Sequence, residues 1–350
     1  MDTIVDYVFP FLDSSDIEWY EEYKQNAIKN NISISENNLR VQSYDNLQYL
    51  LRCISENIPW IRTIHMIVER PSQVPKWLDT SKVHIVYHSD IIPKEYLPTY
   101  NSQTIEMFLH NIVGLSEYFI YGNDDVFPIS YCSFYDFFDP IKITLKKIKS
   151  PKINTWEMTL KHNSELIGLD DTYRTNHSLS PMLKSNIIEV FSKYESEILN
   201  SCTMFRCYER NYNQYLFLCY YKKSHEIKKG HSSKCYAIPH NLNKVKSSIM
   251  NPHYKVICLN DTEGETNSKS DYMHEINQVF LKRFPNKSKY EIGYDEKRIE
   301  QDSINLEGTK QKVQESNVNR FNIRMNKIWR DIKAKMAFPT GKEVSSSAQE

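Results

Sequence analysis

The chain opens on an apolar run, Thr3 to Leu12, rich in β-branched and aromatic residues and broken by Asp13-Ser14-Ser15-Asp16. That pattern predicts a buried strand ending in a polar turn. Trp19 to Asn30 is predicted as a helix with Asp16 as its N-cap. Between Asp45 and Asn57, Leu47, Leu50, Leu51 and Ile54 recur at helical spacing. Ile64–Val68, Val83–Tyr87 and Tyr118–Tyr121 read as further strands, with a helix over 102–111 before the last of them. The order to about residue 140 is therefore β-α-α-β-β-α-β. Alternating strands and helices imply an α/β fold, an open and mostly parallel sheet flanked by helices with a Rossmann-like core. Ligands of such sheets sit beyond the carboxyl ends of the strands. Two acidic clusters fall at such ends, Asp13/Asp16 after the first strand and Asn123-Asp124-Asp125 after the last.

Past residue 140 the pattern changes. Ile141 to Asn163 is basic and alternating, which predicts a hairpin, while Met182–Leu199 and Tyr212–Lys223 predict helices. Val256–Leu259 is a short strand ending in Asn260-Asp261. The expected organisation is one domain over 1–292, with a core at 1–140 and a second part at 141–292, followed by an α-rich C-terminal extension. That extension comprises a polar linker (293–317), a cationic amphipathic helix (318–340) and a frayed tail (341–350). In the helix Phe321, Met325, Ile328, Trp329, Ile332 and Met336 form the apolar stripe, and six basic residues between Arg320 and Lys335 oppose one acid, Asp331. Such a helix suits an anionic membrane surface, reached here through 320–336, or docking on the enzyme's own core or a partner subunit; the pattern leaves these open.

Charge narrows the function. Lys+Arg and Asp+Glu balance at 44 each, so no global field for nucleic acid exists and any anion site is local. With only 8 glycines and neither a GxGxxG nor a GxxxxGK[ST] loop, a dinucleotide enzyme and a P-loop kinase are disfavoured. The seven cysteines are scattered without a CxxC pair, which reads as buried free thiols in a reducing compartment. Met1 to Asp6 lacks a basic segment leading into a long apolar stretch, and no apolar run approaches the ~20 residues of a membrane span. The expectation is a cytoplasmic protein, peripheral on the inner face of the plasma membrane where the basic helix attaches.

Paired carboxylates at a strand end suit a hard divalent cation, which takes carboxylates together with substrate phosphates; Asp124 and Asp125 are such a pair, and a solvated turn is the plainer alternative. His177, in the polar segment Thr175–Pro181 before a helix, has the imidazole for accepting a proton from a hydroxyl, or for a simple loop or capping role. Arg206 carries the guanidinium suited to bidentate phosphate binding, or a structural anchor.

Taken together, four blocks resemble the characteristic regions of the Stealth family, which includes bacterial capsule phosphotransferases and the α/β subunit of an animal GlcNAc-1-phosphotransferase. The first runs Ile4-Val5-Asp6-Tyr7-Val8 through Leu12-Asp13-Ser14-Ser15-Asp16 to Trp19. The second extends from Asp45 through Arg52, Pro59-Trp60-Ile61-Arg62, Trp77 and Leu97-Pro98-Thr99-Tyr100-Asn101-Ser102 to Gly122-Asn123-Asp124-Asp125. The third spans His177 to Arg206 and Asn213–Phe217, and the fourth is Cys258-Leu259-Asn260-Asp261. Two departures stand out: Ser14 replaces the family's glycine, and Gln103 replaces a frequent histidine. The resemblance implies transfer of a hexose 1-phosphate from a nucleotide-sugar, a UDP-sugar first, to a glycan or lipid-linked oligosaccharide hydroxyl, with no nucleic acid involved. It implies Mg²⁺ or Mn²⁺ on Asp124, Asp125 and Asp261, with His177 as base and Arg206 and Asp125 beside the phosphoryl group. Asp6, Asp13, Asp16, Arg52, Asn101, Ser102, Glu106 and Asn123 are then expected to contact donor or acceptor. A metal-dependent glycosyltransferase and a non-catalytic scaffold of polysaccharide assembly are the alternatives.

Overall fold

The computed structural model describes residues 3–34, 46–149, 154–238, 240–261 and 269–295, with Asp261 described in its backbone only. The predicted cationic helix and tail, and nearly all of the linker, lie outside these residues, as does Asp45.

Ten strands are formed among the described residues: β1 (Val5–Pro10), β2 (Ile64–Val68), β3 (Val83–Tyr87), β4 (Tyr118–Tyr121), β5 (Val126–Pro128), β6 (Leu145–Lys147), β7 (Tyr173–Thr175), β8 (Ser180–Leu183), β9 (Ser233–Ile238) and β10 (Val256–Asp261). The helices are α1 (Ile17–Lys29), α2 (Leu47–Asn57), α3 (His88–Ile91), α4 (Ser102–Met107), α5 (Thr155–Leu166), α6 (Lys184–Lys193), α7 (Glu195–Ser201), α8 (Tyr215–Ser224), α9 (Leu242–Met250) and α10 (Lys269–Arg283). The principal sheet has the order β3-β2-β1-β4-β8, its first four strands parallel and β8 antiparallel. β2 is buried at every position, which is why its sequence is apolar on both faces except at His65, whose ring is satisfied by Asp6. A second sheet, β5-β10-β9, joins β5 to two strands from the later part of the chain, which also forms the β6-β7 ribbon.

Local chemistry accounts for the helices that position the site. Asp16 caps α1 by accepting from Trp19 N (3.1 Å), and Trp19, Tyr23 and Ala27 bury one face at fourfold spacing. α5 replaces the second half of the expected hairpin. Its start is a reciprocal capping box, in which Asn154 Oδ1 accepts from Glu157 N (2.9 Å) and Glu157 Oε2 from Asn154 N (3.1 Å). That Asn-x-x-Glu signature outweighs the alternation around it. The expected helix over 102–111 stops at Met107 and continues as a 3₁₀ turn, Leu109–Asn111. Likewise the helix expected from Met182 begins only at Lys184, because 180–183 are drawn into the sheet as β8. Among the described residues no helix is long and apolar enough to cross a membrane.

In the principal sheet β1 lies between β2 and β4, so the direction of strand succession reverses beside β1. The crevice at such a reversal, at the carboxyl ends of β1 and β4, is where open α/β sheets bind ligands.

Candidate active site

The chain leaves β4 through Gly122, where no side chain fits: a Cβ there would lie 2.5 Å from Tyr7 Oη and 2.8 Å from Leu179 Cδ2. Asn123, Asp124 and Asp125 follow in a turn closed by Val126 N on Asn123 O (3.1 Å). β8 pairs antiparallel with β4, Ser180 opposite Tyr121, so extending that register carries His177 alongside the turn. His177 is held from both sides. Asn176 accepts from Lys146 Nζ (3.0 Å), and Ser178 Oγ pairs with His231 Nε2 (2.8 Å). Burial brings the His231 pKa down to about 4, which keeps that ring neutral.

The third contributor comes from the second sheet. β10 places Cys258 opposite Val126, and Leu259 N donates to Asp125 O (2.9 Å). Cys258 Sγ then donates to Asp125 Oδ2 at 3.4 Å, and Asn123 Nδ2 donates to His177 Nε2 at 2.8 Å. Asp125, His177 and Cys258 each offer a ligand atom, all within 4.8 Å of one another. The other side-chain oxygens of Asp125 and Asn123 are buried without a hydrogen-bond partner.

Arg206 is delivered by a separate scaffold. Tyr100 packs edge-on against Trp19 and Tyr23 of α1 (5.6 and 5.0 Å between ring centres) and at a shallow tilt against Phe205 (5.2 Å). Asn101 caps α4 by accepting from Gln103 N (3.1 Å), and its amide donates to Thr203 Oγ1 (3.1 Å) and Asn211 Oδ1 (3.0 Å). The loop carrying Arg206 is thereby tied to the start of α4, where the Arg206 guanidinium donates to Ser102 Oγ. One helical turn on, Glu106 Oε2 accepts from Gln214 N (2.8 Å) and Oε1 from Tyr121 Oη (3.2 Å). Burial raises the Glu106 pKa to about 7, against the lowering pull of Gln214 N–H and Arg206.

Two tyrosines join these halves. Tyr121 feels the charges of both Glu106 and Arg206, and Tyr215 those of Glu106 and Asp125. Ser102, Glu106 and Arg206 thus flank the same end of β4 as Asn123, Asp125 and His177, with Asp124 half-buried on the shared turn. Asn101 acts behind them as a positioning residue.

Other expected contacts are placed elsewhere. Asp6 sits near the amino end of β1, the edge opposite the crevice. Its buried carboxylate accepts from Arg62 Nε and Nη2 (2.9 and 2.6 Å) and Ser116 N (2.8 Å), with His65 Nε2 at 3.2 Å. Burial alone would raise its pKa, but the His65, Arg62 and Ser116 hydrogen bonds hold it far below the usual carboxylate range. Arg52 is equally committed: Nε and Nη2 grip both oxygens of buried Glu291 (2.9 and 2.8 Å), and Nη1 donates to Phe284 O (3.0 Å). Both are engaged within the fold, Asp6 by Arg62, His65 and Ser116 and Arg52 by Glu291 and Phe284. Asp13 and Asp16 do stand beyond β1 at the crevice edge, yet Asp13 Oδ1 accepts from Ser15 N (2.9 Å) and Asp16 caps α1. Gln103 is buried in α4 and reaches Thr159 Oγ1 at 3.4 Å. Cys258 went unrecognised as a site residue because a lone cysteine in a strand carries no signal; only the β5–β10 pairing gives it one.

The partnerless oxygens of Asp125 and Asn123 suit a divalent cation, since a buried acceptor left unpaired is costly and oxygen is the donor a hard ion takes. The side chain of Asp261, the third expected ligand, lies outside the described residues.

Comparison with known proteins places the chain. The model for Stealth protein CR2, conserved region 2, matches residues 40–146, and that for CR4, conserved region 4, matches residues 248–301. A capsular polysaccharide phosphotransferase of Actinobacillus suis is 35% identical over 214 residues, covering 56% of this chain and 57% of the relative. Another, WcwK of Streptococcus pneumoniae, is 27% identical over 331 residues, 82% of this chain and 98% of the relative. The chain thus spans under three fifths of the first relative's length at the higher identity. A solved galactosyltransferase, LgtC, overlays with a TM-score of 0.40 at 11% identity over 79% of this chain and 95% of that one, too loose a likeness to assign chemistry.

Proposed function

The chain belongs to the Stealth family, and from that premise we propose that it is a sugar-phosphate transferase, moving a hexose 1-phosphate from a nucleotide-sugar to a glycan hydroxyl in surface-polysaccharide synthesis. The observation that carries this reading is the meeting of Asp125 and His177 at the carboxyl end of β4, with Arg206 held over the start of α4 on the same side.

The reaction joins an acceptor oxygen to the phosphorus next to the sugar and breaks the bond from that phosphorus to the nucleotide. The sugar keeps its C1–O bond and a phosphodiester results. Such a transfer asks for an aligned nucleophile and for neutralised phosphoryl charge. His177 takes the proton of the acceptor hydroxyl on Nε2, exchanging the bond it accepts from the Asn123 amide (2.8 Å) for one from that hydroxyl. Arg206, aimed by Ser102, donates to the phosphoryl oxygens, where preorganised donors are worth several kcal/mol of barrier. Glu106 attracts that guanidinium through space rather than by direct contact. Asp125 and Asn123 would hold Mg²⁺ or Mn²⁺, whose charge offsets that of a diphosphate.

The test is incubation of the protein and Mg²⁺ with a panel of nucleotide-sugars and an oligosaccharide acceptor, read by mass spectrometry. Release of a nucleoside monophosphate with phosphorus retained in the glycan is expected. Release of a nucleoside diphosphate, with no phosphorus in the product, would instead mean sugar transfer and overturn the proposal.

A further inference from the structure

The donors around Asp125 are chemically mixed, and the mixture carries information of its own. A Mg²⁺ site uses oxygen ligands, yet one corner of this cluster is the thiol of Cys258, fully buried in β10. We propose that Asp125, His177 and Cys258 form a three-ligand site for a thiophilic borderline divalent cation of the Zn²⁺ class, with its fourth position open toward the crevice.

The spacing supports this. Around a tetrahedral ion with bonds of about 2.3 Å to sulfur and about 2.0 Å to oxygen, the sulfur–oxygen edge comes to roughly 3.5 Å. Cys258 Sγ and Asp125 Oδ2 stand 3.4 Å apart, so two corners already have the required separation. The third ligand is His177, whose Nε2 lone pair, engaged by the Asn123 amide at 2.8 Å, passes to the ion. Each ligand comes from a different framework segment: the β4–β5 turn, the approach to β8, and β10. On binding, the ion takes the sulfur lone pair and the thiol proton leaves to solvent, with no change in oxidation state. Sulfur and imidazole together select Zn²⁺ or Co²⁺ over Mg²⁺. The inference rests on the same side chains as the transferase reading and adds a consequence: the bound ion withdraws His177 and Asp125 from the acceptor hydroxyl, so Zn²⁺ inhibits.

Cobalt titration of the full chain tests it. Micromolar Co²⁺ should give the near-ultraviolet thiolate-to-metal absorption and the visible bands of a four-coordinate ion, and stoichiometric Zn²⁺ should abolish both. Cys258→Ser should remove the thiolate absorption. His177→Ala, on a half-buried loop residue that the fold tolerates more readily, should weaken binding at least tenfold. Cys219→Ser, in α8 and outside the cluster, should leave the spectrum unchanged. Absence of thiolate absorption in the wild-type protein, its persistence in Cys258→Ser, or unaltered affinity in His177→Ala would each overturn the site. Nucleotide release with Mg²⁺ is scored separately. A cobalt spectrum without transfer leaves the metal site standing and the transferase reading fallen; transfer without the spectrum does the reverse.

Discussion

Glu106 offers the sharpest quantitative test of the site's electrostatics. Its carboxyl is buried between Gln214 N–H and Tyr121 Oη, and burial raises its pKa from the ordinary 4.5 to about 7. Below pH 4.5 it is protonated in both folded and unfolded chains and costs nothing. As pH rises the unfolded chain ionises first and the folded one lags until about pH 7. Stability from this group is therefore complete in acid and lost as pH climbs from 4.5 through 7. At 1.36 kcal/mol per pH unit of separation, the loss is roughly 3 kcal/mol by pH 8.5. Glu106→Gln keeps an acceptor for Gln214 N, and Tyr121 Oη can accept from the new amide, but the side chain no longer ionises. For a folded unit of the size of Met1–Tyr294, that energy corresponds to ~5 °C in Tm. Differential scanning fluorimetry of both proteins from pH 5 to pH 8.5 should show the variant gaining about that margin on the wild type as the buffer becomes alkaline. Groups common to both proteins cancel in the difference. A constant Tm gap across the range would refute the reasoning, because it would mean that the folded protein ionises Glu106 as readily as water does.

The remaining predictions divide chemistry from architecture. His177→Ala and Asp125→Asn should each lower the initial rate of nucleoside monophosphate release by ~10²–10⁴-fold while leaving the melting temperature within a few degrees; a normal rate in either removes that residue from the reaction. Arg206→Lys should reduce kcat by on the order of 10²-fold and alter KM less, since a single ammonium cannot reproduce the fork that now engages Ser102; steady-state kinetics decides it. Asp6→Asn should cost about 3–5 kcal/mol of stability in urea denaturation, leaving Arg62 and His65 without their anion. The donor KM of its folded fraction should stay unchanged, and a raised KM would return Asp6 to the nucleotide.

Much of the principal sheet was legible because its strands are short, largely apolar runs. Ile64–Val68, Val83–Tyr87 and Tyr118–Tyr121 match the observed β2, β3 and β4 end for end, as short apolar runs between polar turns should. β5, β7, β8 and β9 escaped, and β5 shows one reason: Val126–Pro128 follows directly on the Asp124-Asp125 turn and reads as its continuation until β10 pairs with it from about 130 residues away. Site residues divide the same way. His177 and Asp125 could be singled out by residue type at a strand end. Asp6 and Arg52 belong to the same conserved-looking blocks, but a block cannot distinguish a side chain that faces a ligand from one that anchors the fold. Only the partners do so: Arg62, His65 and Ser116 around Asp6, and Glu291 around Arg52, the last separated from it by 239 positions.

That separation also explains why the site forms where it does. The two sheets exchange strands: β5 leaves the end of β4 to join β10, and β8 returns from the later part of the chain to complete the sheet of β1–β4. Gly122–Asp125 is the crossing point, so it receives His177 from the incoming strand and Cys258 from the outgoing pair. The expected partition at residue 140 therefore marks a change in sequence pattern through which the site is built continuously. Residues 102–125 supply the carboxylates and the Ser102 hydroxyl that receives a guanidinium, and residues 177–258 supply imidazole, guanidinium and thiol. Neither set closes a site alone. Acid–base and charge-neutralising groups are brought together only when both sheets have found their exchanged strands, which ties the chemistry to completion of the fold.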